Sequence, residues 1–190
     1  QWSESMHRYA ATDPHVDVGI RWFQRDNGAE AGRFCAGCHN PIALLAGEYD
    51  PETTPPDTGT PAHPEGISCL SCHAITGIQT EPLGNGSYTL DPPAQPMVAG
   101  PIADLLIRLD VPAHKRQMMR RPLMQTAQFC GTCHQQYTPT SLNGPGPGQD
   151  SNQYPEWIRS SYADEGSDNF KTCNDCHMPL VKGEDPAAID

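Results

Sequence analysis

The pattern Cys-x-x-Cys-His occurs four times in this chain, at Cys35-Ala-Gly-Cys38-His39, Cys69-Leu-Ser-Cys72-His73, Cys130-Gly-Thr-Cys133-His134 and Cys173-Asn-Asp-Cys176-His177. It is the attachment sequence of a c-type haem. Two thiols separated by two residues reach both vinyl groups of one macrocycle and form thioethers. The histidine that follows directly is then placed to bind the iron. All 8 cysteines fall in these motifs. Four covalently attached haem c groups are therefore expected, with His39, His73, His134 and His177 as proximal iron ligands. A zinc site would use the Cys pairs but has no need of a histidine after every second cysteine. Disulfides leave that histidine equally unexplained, and a thioredoxin-like redox motif needs one such pair on a βαβ background that is absent here.

Four haems in 190 residues leave little polypeptide for each. Hydrophobic residues make up only 36%, while Gly 17 and Pro 20 are abundant, a composition that by itself points toward irregular structure. The macrocycles resolve that tension by supplying the apolar core. The expected fold is mainly α with large irregular content and little β-sheet, compact around a chain of four haems. The whole of 1–190 is expected as one tetrahaem domain, with 1–100 and 101–190 as candidate dihaem halves. The apoprotein is expected not to fold, as small metal domains fail without their metal.

The formal net charge is −11. Each ferric bis-His haem with ionised propionates adds about −1, which takes the holoprotein to roughly −15. Such a surface repels nucleic acid and anionic membrane and favours redox partners with basic docking faces. No apolar run is long enough to span a bilayer. The chain begins at Gln1 rather than Met and reads as a processed mature form. Covalent haem attachment in bacteria and archaea takes place outside the cytoplasmic membrane, so a periplasmic or extracellular location is expected.

Along the chain, residues 2–10 read as a short helix that Ser3 or Ser5 could cap, and Asp13-Pro14-His15 as a break. Residues 16–25 read as a helix with Val16, Ile20 and Phe23 at helical spacing. Pro41 opens a helical turn over 41–46. Asn85-Gly86 marks the one short hairpin, within 78–90. Asn85-Gly86-Ser87 also fits the glycosylation pattern, for which a plain turn is the simpler meaning. Residues 50–66 and 91–101 are Pro-rich connections. Residues 101–109 and 113–128 read as helical, the second interrupted at Pro122. Lys115, Arg116, Arg120 and Arg121 cluster there and are expected to pair with propionates. Residues 141–153 form a Gly/Pro/Asn loop suited to a surface role. Its Asp150, Asn143 and Asn152 could ligate a hard cation, but not with the spacing of a known calcium loop.

Four histidines remain for four irons: His7, His15, His63 and His114. An electron-transfer haem takes a second imidazole or a thioether as its sixth ligand. The count makes bis-His ligation of all four the simplest hypothesis, with Met6, Met97, Met118, Met119, Met124 and Met178 as competitors. There is also a hint of duplication. Phe34-Cys-x-x-Cys-His recurs at Phe129, and Trp2-x-x-Ser5 recurs as Trp157-x-x-Ser160, with Tyr162 standing where His7 stands. Spacings of 34, 61 and 43 residues between successive motifs are too uneven for a repeat protein.

The Trp2-x-x-Ser5-x-His7 opening, Gly66-Ile67-x-Cys69, Phe129-Cys130-Gly131 and Cys176-His177-Met178-Pro179 resemble the cytochrome c-554 and multihaem cytochrome superfamily. They also resemble the tetrahaem proteins that polymerise as extracellular cytochrome nanowires. The resemblance implies haems in a close-packed chain of parallel and perpendicular pairs. In the nanowire members it implies a histidine of one subunit completing a haem of the next. The expected role is electron transfer, either as a subunit of a homopolymeric filament or as a soluble periplasmic shuttle. The competing class is a reductase of small nitrogen or sulfur oxyanions, which keeps one haem open or ligates it with the Lys of a Cys-x-x-Cys-Lys, a motif this chain lacks. A cytochrome module of a larger membrane complex is a third reading. No catalytic residue is expected.

Overall fold

The computed structural model describes residues 2–49, 65–91, 105, 109–110, 112, 121–142 and 152–179. Among them the protein is mainly helical, with one two-stranded antiparallel hairpin. Two compact units are interleaved along the chain rather than lying in successive halves. The first comprises 1–72, 84–86 and 135–151, and the second 73–83, 87–134 and 152–190.

In the first unit a 3-10 turn over Trp2–Glu4 leads into α1 (Met6–Tyr9). Ser5 stands at the cap position of α1, but its hydroxyl bonds backward to the Trp2 carbonyl at 2.8 Å instead of capping. The Arg8 guanidinium lies over the rings of both Trp2 and Tyr9, 5.8 and 5.4 Å from their centroids. Helix α2 runs Pro14–Asn27. Asp13-Pro14-His15, expected as a break, is its start: the Asp13 carboxylate accepts from the His15 N–H at 2.8 Å, and Pro14 fills a first-turn position that has no partner for an N–H. Helix α3 (Gly32–His39) carries the first motif. Asn40 closes α3 through its N–H to the Ala36 carbonyl and opens α4 (Pro41–Leu45) by accepting from the Ala43 N–H. The buried core here is Ile20, Ala36, Ala43 and Tyr49, with Val16, Cys35 and Leu44 against it. Two of the four buried members are alanines, so the side chains alone bury little.

Tyr49 is only 2% exposed, and burial pushes its phenol up to about 12. A folded pKa above the unfolded one means stability that is complete below pH 10 and is lost as pH rises from 10 toward 12. Alkaline titration of the melting temperature is expected to show this limb. Tyr49→Phe should remove it, while costing about 1 kcal/mol at neutral pH through the lost bond to Asn40. An unchanged alkaline limb in the variant would refute the assignment.

Helix α5 (Cys69–His73) carries the second motif, and the boundary between the units falls within it, after Cys72. In the second unit β1 (Ile75–Ile78) pairs with β2 (Tyr88–Leu90), with an irregularity between Ile75 and Gly77. The hairpin was expected from Asn85-Gly86. Those residues do take positive φ, 54° and 71°, near the end of the long connection between the two paired strands. Helix α6 (Arg121–Met124) admits Pro122 within its first turn. The residues leading into Pro122, 113–120, lie outside the described ones, and so does the break expected there; a further break comes at Thr126, whose hydroxyl bonds the Leu123 carbonyl at 2.7 Å and accepts from the Phe129 N–H at the start of α7 (Ala127–His134). Helices α8 (Gln153–Ile158) and α9 (Cys173–His177) follow. Leu83, Ala127 and Tyr154 form the buried core, flanked by Ile78, Trp157 and Cys173.

The connections at 50–66 and 91–101, the helices expected over 101–109 and 113–120, the basic cluster and the loop 141–153 lie wholly or for the most part outside the described residues. So do His63 and His114. No helix among the described residues is long and apolar enough to cross a membrane.

Candidate haem-attachment sites

Each of the four motifs lies on a helix whose last residue is the motif histidine: α3 at His39, α5 at His73, α7 at His134 and α9 at His177. Helical geometry puts the two cysteines of each motif three residues apart on one face. The four helices start differently. Helix α9 opens with a capping box between Thr172 and Asp175, and α7 with the Thr126 hydroxyl.

The first motif opens onto a cavity of about 130 Å³, lined by Val16, Gly19, Ile20, Phe34, Cys35, Cys38, His39, Asn85 and Gln136. A Cβ at Gly19 would meet nothing within 4 Å, so α2 presents bare backbone to this space. The His39 Nδ1 lies 3.3 Å from the Ala10 carbonyl, a contact that fixes the orientation of the ring. Thiols, an oriented imidazole and an apolar wall with a missing side chain together fit a haem edge. Asn85, read from the sequence only as a turn residue, is a wall of this cavity. Its amide is tied at both ends to the Tyr137 backbone, donating at 2.9 Å and accepting at 3.0 Å, so it is no free acceptor for a glycan.

Burial pushes the Cys35 thiol up to about 11. All eight cysteines are unpaired with one another.

In the second unit the third and fourth motifs are neighbours. Cys130 Sγ lies 3.6 Å from Asn174 Oδ1, and Asn174 Nδ2 donates to the Met124 carbonyl at 2.9 Å. Tyr154 stacks on Trp157 with centroids 5.8 Å apart beneath these helices. Of the four candidate sixth ligands, His7 and His15 are described and both are exposed. The His15 side chain is 98% exposed, with its Nδ1 3.3 Å from Asp13 Oδ1. Among the described residues no three His, Cys, Asp or Glu side chains converge on one point. A c-type haem asks for no such cluster, because two thiols and one imidazole of a single helix hold it. No protein-family model, curated protein or solved structure matches the chain.

Proposed function

We propose that this chain is an electron-transfer protein with four covalently attached c-type haems, one on each Cys-x-x-Cys-His helix. The observation that carries the reading is that all eight cysteines lie in four helices, each ending on its histidine. Bound there, the iron centres supply one-electron redox chemistry. The cysteines anchor, and the motif histidines ligate through Nε2. The Ala10 carbonyl sets the orientation of His39, while Val16, Ile20 and Phe34 keep water from the first site. The contact of Cys130 with Asn174 supports a short path between the third and fourth groups. His7, His15, His63 and His114 would supply the second imidazole of each haem.

The assembly favoured is an extracellular homopolymeric filament, on the ground that His15 is almost wholly solvent-exposed. A soluble periplasmic shuttle is the alternative form. The test of the whole reading is the holoprotein itself. Pyridine haemochromogen assay should return four haems per chain, with ferric and ferrous spectra low-spin throughout and unmoved by carbon monoxide or nitrite. A high-spin fraction near one quarter would mean one open iron and would favour the reductase.

A further inference from the structure

Two segments, one in each unit, make the same three hydrogen bonds. In the first unit the Trp2 indole N–H donates to the Ile67 carbonyl at 2.6 Å, the Ile67 N–H donates to the His7 carbonyl at 2.8 Å, and the Ser5 hydroxyl donates to the Trp2 carbonyl at 2.8 Å. In the second unit the Trp157 indole N–H donates to the Lys171 carbonyl at 2.8 Å, the Lys171 N–H to the Tyr162 carbonyl at 3.1 Å, and the Ser160 hydroxyl to the Trp157 carbonyl at 2.7 Å. Ile67 and Lys171 each stand two residues before the first cysteine of a motif, Cys69 and Cys173. The device therefore grips the lead-in of a motif helix from both sides of one residue, through its N–H and its carbonyl. It presents there the residue two positions after the serine.

Pinning a chain terminus does not account for it, because Trp157–Tyr162 lies in the interior of the sequence and makes the same bonds. In the first unit the grip is also sterically exclusive. Gly66 has φ +60°, and a Cβ there would stand 2.5 Å from the His7 carbonyl oxygen and 2.7 Å from that of Arg8. Only glycine lets the two backbones close to this distance. What differs between the copies is the residue presented: an imidazole at His7 and a phenol at Tyr162.

We infer that this Trp-x-x-Ser clamp is a ligand-positioning device: Trp2, Ser5 and Gly66 hold His7 as the axial imidazole of one haem, and the second copy holds Tyr162, which is not an axial ligand. The inference rests on the tetrahaem reading. It places the axial imidazole of the second clamp's neighbourhood elsewhere in the chain and divides the two units chemically although their backbones repeat.

The test uses the purified holoprotein, with haem per chain and spin state read separately. Gly66→Ala should keep four haems per chain but turn about one quarter of them high-spin, with carbon monoxide binding to match, and added imidazole should restore the low-spin spectrum. Trp2→Phe, which keeps the ring and removes only the donor, should give the same species in a smaller fraction. Tyr162→Phe should leave all four haems low-spin. A folded Gly66→Ala protein with every haem low-spin and closed to carbon monoxide overturns the role of the clamp. If Gly66→Ala fails to accumulate, Trp2→Phe and His7→Ala decide, and low-spin spectra in both overturn it. An open haem in Tyr162→Phe overturns the asymmetry. Wild-type protein without haem would instead overturn the proposed function itself, a result that the haem count alone delivers.

Discussion

Replacing Cys35 and Cys38 together by Ala is expected to abolish the accumulation of folded protein. Ordering a backbone costs about 1–2 kcal/mol per residue, and burial of apolar surface must offset it. The first unit has little with which to do so. Among the described residues its hydrophobic cluster is Ile20, Ala36, Ala43 and Tyr49, and an alanine removes scarcely more than a methyl group from water. Meanwhile large apolar side chains stay outside: Met6 is 74% exposed, Trp22 63% and Leu45 65%. The cavity beside Cys35 and Cys38 is the place where a macrocycle would supply the missing area. Without the thioethers that anchor it, the collapse loses its main apolar component rather than one contact among many. The check is expression with haem stoichiometry and thermal melting followed by circular dichroism. Recovery of a trihaem form that melts cooperatively would show that the side chains suffice.

The sequence showed most where a residue type is bound to one local geometry. The motifs, and the helix carrying Val16, Ile20 and Phe23, stand in the spacing itself. Asp13-Pro14 separates α1 from α2 as the sequence indicates, and the Asp13 carboxylate accepting from the His15 N–H lets α2 begin at once, at Pro14 rather than Val16. Thr126, which the sequence reading did not single out, separates α6 from α7 by accepting from the Phe129 N–H. The clamps were half legible. Trp2, Ser5, Trp157 and Ser160 could be matched by eye, but their partners are backbone groups of Ile67 and Lys171, 65 and 14 residues away from the tryptophans. A backbone acceptor leaves no side-chain signature, so only the fold reveals it. Asn85 was missed as a wall of the first cavity for the same reason: what its side chain grips is the main chain of Tyr137.

His15→Ala is expected to convert a filament into monomers, each with one five-coordinate haem, whereas His7→Ala should open a haem and leave the polymer intact. The two histidines are close in sequence but differ in how the chain holds them. His7 has its carbonyl bound by the Ile67 N–H and sits within the clamp. His15 stands on the first turn of α2, its side chain 98% exposed, with its Nδ1 3.3 Å from the Asp13 carboxylate of its own turn. In the proposed filament, its Nε2 would be the ligand for an iron of a neighbouring copy. A wire of four haems must pass electrons onward, and chains of net charge −11 repel one another. A buried metal–imidazole bond is specific enough to overcome that repulsion. Such an interface would be heterologous, a histidine on one copy meeting an iron on the next, and unless the rotation closed it would grow into an open helical polymer. The measurement is negative-stain imaging of wild type and both variants, alongside spin state. Salt at about 0.15 M shortens the Debye length to about 8 Å and removes most long-range repulsion. Wild-type protein that stays monomeric there at high concentration would sink the filament and leave the shuttle. Filaments that persist in His15→Ala would move the bridging contact to another residue.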